Sequence, residues 1–146
     1  METKRLVTGT VVGGITVFVL GYLIFDTAFA AFYAGNVGAA EGVARDAQLI
    51  WAVALGSLSY AALITFAMGS RTGAATMAAG VQTGAVVGFL LWFTTDFILY
   101  GVTNIANLTR TIVDPLLELV RGGITGGVTA FVLAKISESA RGPIRA

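Results

Sequence analysis

Residues 74–100 read AATMAAGVQTGAVVGFLLWFTTDFILY, an apolar run whose first ionisable side chain is Asp96. An α-helix rises 1.5 Å per residue, so about 20 such residues cross a hydrocarbon core about 30 Å thick. An isolated strand would leave its backbone groups unsatisfied in lipid, which makes helix the expected state. Three further runs of the same character lie at 6–33, 49–68 and 115–136. The expected fold is therefore an all-α membrane protein, one domain over 1–146 built as a four-transmembrane-helix bundle.

Composition agrees. Of 146 residues 56% are hydrophobic and 12% charged, and the mean hydropathy is +0.85. Soluble domains carry about 25% charged residues. A net charge of +1 gives no attraction to nucleic acid, so none is expected as a partner. Cysteine and histidine are both absent. That excludes disulfides, thiolate nucleophiles, imidazole bases and the usual zinc or haem ligands. No cofactor is expected, although an oxygen-only site for a hard cation stays open. Lys4 and Arg5 ahead of an apolar run, with Ala28-Phe29-Ala30 beyond it, have the look of a signal peptide. The run is longer than such an apolar region, so the first span is expected to be retained.

Basic residues orient the chain. Lys4, Arg5, Arg71, Lys135, Arg141 and Arg145 fall on one side, Arg45 and Arg110 on the other. Both termini are thus expected in the cytoplasm, with the bacterial inner membrane as location. Tyr22, Trp51, Trp92 and Tyr100 should form an aromatic belt near the outer face. Gly69-Ser70-Arg71-Thr72-Gly73 reads as a tight cytoplasmic turn, and the outer connection 34–48 has room for a short surface helix.

Glycine is abundant, at 19 residues. Gly80, Gly84 and Gly88 are spaced by four, as are Gly9/Gly13, Gly122/Gly126 and Gly123/Gly127. Small residues at this spacing let helix backbones approach closely in lipid. The spacing serves either packing inside one bundle or contact between copies.

Polar side chains within spans are costly and mark candidate sites. On a wheel of 100° per residue, Thr111, Asp114, Glu118, Arg121, Thr125 and Thr129 occupy an arc of about 80°, with Gly123 and Gly127 opposite. Asp26 and Asp96 reach the same outer level, and Arg121 lies about 9 Å below Pro115. The candidate ligand-binding set is Asp26, Asp96, Asp114, Glu118, Arg121 and Asn104, gathered at an outward-opening vestibule beside Gln82, Thr94 and Thr95. With all groups ionised, its four carboxylates and one guanidinium carry −3. Plainer roles compete. Asp114-Pro115 fits a helix N-cap followed by proline, with Glu118 near the positive end of the helix dipole. Arg121 could form a structural ion pair with Glu118 or Asp96, and Asn104 and Asn107 suit turns.

Residues 84–128 carry Gly-Phe-Leu-Leu-Trp at 88–92, Thr-Asn at 103–104 and Val-Asp at 113–114 ahead of Gly122-Gly123; Gly21-Tyr22 ends the first run. In these elements the chain resembles small four-helix bacterial membrane proteins catalogued as domains of unknown function, and departs from them in the long connection 34–48. The resemblance implies a four-helix inner-membrane protein and lends no active site.

Two functions stand close at this stage, the first slightly ahead because a −3 cluster is expensive for scaffolding alone. One is a binding or transport protein whose vestibule takes a cation, a proton or a small polar ligand. The other is a non-catalytic accessory subunit, partnered by the lipid bilayer and either further copies or a larger membrane complex. An enzyme is least supported, since no catalytic residues and no Gly-x-Ser-x-Gly or phosphate-binding loop are found.

Overall fold

The computed structural model describes residues 2–69 and 76–141, with side chains to residue 137. The regular structure of these residues is all helical, with no strand among them. The order is α1 (Thr3–Gly21), a π-helical segment (Tyr22–Ala28), α2 (Ala30–Gly35), α3 (Ile50–Gly69), α4 (Met77–Val102) and α5 (Leu108–Arg141). Four stretches, Thr3–Ala28, Ile50–Gly69, Met77–Val102 and Leu108–Ser137, are long and apolar enough to cross a bilayer, as a multi-pass membrane protein requires. The turn at 69–73 lies mostly outside the described residues, as do Arg71 and Arg145.

Two boundaries differ from those expected. The run 6–33 is not one helix. Its end widens into π turns, where Phe29 N–H donates to Ile24 O at 2.8 Å and the Thr27 hydroxyl to Tyr22 O at 3.2 Å. Phe29 then leaves the helical region at φ −110° and ψ 13°, and α2 sets off separately. The short surface helix of this connection is thus Ala30–Gly35, before the stretch expected to hold it.

The fourth helix begins at Leu108, not at 115. Asn107 is the capping residue, its Oδ1 accepting the Arg110 N–H at 2.9 Å. Asp114 is therefore not an N-cap. Pro115 sits inside the helix, where it removes one backbone hydrogen bond, and Glu118 lies about three turns from the helix start, beyond reach of its dipole.

Helix α5 is the central element. More than half of its apolar stretch is buried, against little more than a quarter for any other span. Its smooth side meets α4 with almost no space between backbones. A Cβ placed on Gly84 would strike the Gly122 carbonyl, and one on Gly122 would strike that of Gly84. Gly80 and Gly126 meet in the same way one turn further along. Glycine spacing is thus used between helices of one chain. On the other side α1 approaches α5 and α3, with Gly13 seated against Thr129 and Ala61.

The distribution of side chains suits a lipid solvent. Trp51, Phe66 and Val102 are 68%, 62% and 74% exposed, whereas Thr111, Glu118, Thr125 and Thr129 are at or below 1%. The polar stripe of α5 faces protein, as its cost in lipid demands. The start of α1 and the last part of α5 meet at one end of the bundle, where Arg5 Nη1 donates to Ser137 Oγ at 3.0 Å. At the opposite end the connections 36–40 and 104–107 pair through Gly38 N–H to Ile105 O (3.2 Å) and Ala40 N–H to Asn104 O (2.9 Å).

Candidate functional site

The site grows from the α5 stripe. Residues 114, 118 and 121 recur at helical spacing, so their side chains leave α5 on one face, between α1 and α3. Arg121 is the anchor. Its Nε and Nη2 both donate to the Val17 carbonyl oxygen on α1, at 3.1 and 2.8 Å, while Nη1 donates to Glu118 Oε1 at 2.6 Å. The guanidinium also stands 5.3 Å from the Phe25 ring and 5.9 Å from the Tyr60 ring. Gly21 makes the fork possible, because a Cβ there would come within 2.7 Å of Nη2. The π-helical widening begins at the next residue, in keeping with the tendency of such turns to occur at functional sites.

Glu118 is half satisfied. Oε1 is bound by Arg121, while Oε2 is buried without a hydrogen-bond partner. The Tyr60 hydroxyl lies beside it, 6% exposed, in the niche formed by Gly88 and Gly122, a potential donor next to an unpaired acceptor. Native interiors leave few such groups unpaired, and each calls for an explanation such as a bound water or ion.

A second cluster lies a turn closer to the connections. Asp114 accepts a short hydrogen bond from the Tyr33 hydroxyl. The carboxyl of Asp96, on α4, lies against that of Asp114, and its Oδ2 is buried and unpaired. Arg110 stands 4.9 Å above the Tyr33 ring. Burial, and then the hydrogen bond to Asp114, raise the Tyr33 hydroxyl well above its usual pKa, so it remains a donor.

These groups border an open cavity of about 1050 Å³ lined by residues of α1, the π segment, α3, α4 and α5. Asp114, Glu118, Arg110 and Arg121 supply its polar end, while Val17, Leu63 and Leu91 belong to its apolar walls.

The expected site residues fare unequally. Asp114, Glu118 and Arg121 come together at the cavity, with Asp96 behind Asp114. Asp26 lines the rim but is exposed, and accepts from Gln48 Nε2 at 3.0 Å. Asn104 does not join them. It is exposed in the connection, where its backbone carbonyl receives the Ala40 N–H. Gln82, Thr94 and Thr95 face outward from α4, and the Thr95 hydroxyl is occupied by the Leu91 carbonyl. Trp92 leaves the expected belt for the core, its Nε1 buried, while Tyr22, Trp51 and Tyr100 are exposed.

Three participants escape a reading of the sequence. Tyr33 and Tyr60 sit in separate apolar runs, and Arg110 reads as a loop residue until the helix is seen to start at Leu108. The asparagine at 107, followed three residues later by Arg110, is the signal that could have moved that boundary. Including Arg110, the four carboxylates and two guanidiniums of the region carry −2, and the buried part without Asp26 carries −1.

No known protein family, curated protein or solved structure matches this chain. The functional reading therefore rests on the site itself.

Proposed function

We propose that this chain is an integral membrane protein of the bacterial inner membrane that binds, and in an oligomer transports, a cationic or protonated polar ligand through its outward cavity. The observation that carries this reading is the convergence of Asp114, Glu118, Arg110 and Arg121 on the cavity lining, with Glu118 only 1% exposed. A buried carboxylate is costly unless paired. Arg121 answers one oxygen of Glu118. The touching carboxyls of Asp96 and Asp114 add a place for a shared proton or a second positive charge.

Sidedness follows the basic residues. Lys4, Arg5 and Lys135 lie at the end where α1 starts and α5 finishes, and Arg45 and Arg110 at the other. The positive-inside tendency supports cytoplasmic termini and an outward cavity.

The accessory-subunit reading is suited by glycine-rich faces and short loops, which favour contact with other helices. Gly80, Gly84, Gly122 and Gly126 are used up between α4 and α5, which leaves that reading with less support. Mild extraction from native membranes followed by native mass spectrometry separates the two. A lone chain or homo-oligomer with a bound small molecule is expected; other subunits in fixed ratio would overturn the proposal.

A further inference from the structure

Helix α4 gives one side to α5 and turns the opposite side to lipid. On a wheel of 100° per residue, Ala78, Gln82, Val86, Phe89 and Phe93 fall within about 40° of one direction, while Gly80, Gly84 and Gly88 lie on the other side. Val86 and Phe93 are 57% and 42% exposed. Gln82 is the anomaly on this face. It is exposed, and among the described residues nothing hydrogen-bonds its amide. Exposed hydroxyls of the bundle turn back onto their own helices, as Ser59 does to Leu55 O and Thr95 to Leu91 O, both at 2.9 Å.

The depth of Gln82 follows from packing. Gly80 meets Gly126 and Gly84 meets Gly122, which sets Gln82 level with Ile124. Gly13 against Thr129 and Val17 against Arg121 put the same level between residues 13 and 17 of α1. Both places are close to the midpoints of the spans Leu108–Ser137 and Thr3–Ala28. A hydrocarbon core about 30 Å thick then leaves water about 15 Å away on either side, beyond the reach of a glutamine side chain. An amide with neither water nor protein to bond is costly there.

The missing partner must lie within the membrane, offer both a donor and an acceptor, and come close to α4. Ala78 and Ala85, one turn to either side of Gln82, leave room for a close approach. A second Gln82 meets every demand, because a carboxamide donates and accepts and two of them about a two-fold axis satisfy each other. The intervals of three and four residues along this face suit a seam of paired helices, in which a single polar side chain sets the register. Toward the outer end Phe89, Phe93 and Phe97 stack at 5.4 and 4.4 Å between centroids, a ridge that prolongs the seam.

We propose that this face of α4 pairs with the same face of a second copy of the chain, the two Gln82 amides bonding to each other across a two-fold axis along the membrane normal. The inference concerns assembly and holds whatever the cavity binds.

The test exploits the absence of cysteine from the chain. Ala78→Cys and Val86→Cys, made singly in the full chain, are oxidised in native membranes, with Val11→Cys, exposed on α1, as the control. Disulfide-linked dimers of this chain are expected from both α4 variants and not from the control. Adducts with a different protein, no dimer from the α4 variants, or equal dimer from all three would overturn the proposal. Energy transfer between amino-terminally labelled copies in phospholipid vesicles, followed as lipid is added, then gives a dissociation constant. Gln82→Leu should raise it by about tenfold, the worth of interhelical hydrogen bonds in a membrane. The same variant should unfold at the wild-type midpoint in nanodiscs holding one copy, since Gln82 bonds nothing in its own chain. An unchanged dissociation constant in Gln82→Leu would overturn the amide pairing.

Discussion

Arg121 on α5 and Val17 on α1 are joined by a forked contact in which Nε and Nη2 share one carbonyl oxygen, at 3.1 and 2.8 Å. This contact fixes the guanidinium and so fixes Glu118, which Arg121 holds through Nη1. One oxygen of the carboxylate is thereby committed to structure, and the other is buried without a hydrogen-bond partner.

Replacing Arg121 by leucine leaves Glu118 buried with no cation beside it. Removing one partner of a buried pair costs about 3–5 kcal/mol. Thermal unfolding in nanodiscs should show Arg121→Leu strongly destabilised, and the double variant Arg121→Leu with Glu118→Gln less so. Equal losses in both would mean that the pair is not coupled.

The α4–α5 contact predicts a sharp contrast among glycines. Gly84→Val places a side chain against the Gly122 carbonyl and should destabilise the bundle by about 1–3 kcal/mol. Gly101→Ala, where a Cβ meets nothing, should change little. The same unfolding measurement decides, and similar behaviour of the two variants would contradict the close approach.

Tyr33 predicts an alkaline effect. Its hydroxyl is held neutral in the folded chain above the ordinary tyrosine value of about 10. An unfolded chain would release that proton first, so the stability contributed by Tyr33 is complete below about pH 10 and is lost as pH rises beyond it. Tyr33→Phe should cost about 1–3 kcal/mol at neutral pH by leaving Asp114 without its donor. It should also flatten the decline above pH 10. An unchanged alkaline slope would detach Tyr33 from the effect.

Much of this was legible in the sequence, and the limits have physical causes. Hydropathy marks spans well because lipid imposes one backbone solution. The α5 stripe was readable from helical periodicity, and all six of its polar residues are 7% exposed or less. Helix ends were harder. Asp114-Pro115 carries the local chemistry of a helix start, yet Asn107 caps the helix two turns earlier and Pro115 is tolerated inside it. That shift brought Arg110 into the site. Asn104 misled for a related reason, since its role is made by backbone pairing with Ala40 and not by its side chain. Tyr60 was hidden because a tyrosine in an apolar run shows nothing of the helix it will face.

The central claim is that the carboxylates at this cavity bind a positive charge. Its most direct test is titration calorimetry with methylammonium on the purified chain in nanodiscs, beside the double variant Asp114→Asn with Glu118→Gln. The account predicts saturable binding to the wild type at one site per chain, lost in the variant. Wild type and variant giving the same heats, or no saturable binding to either, would contradict it.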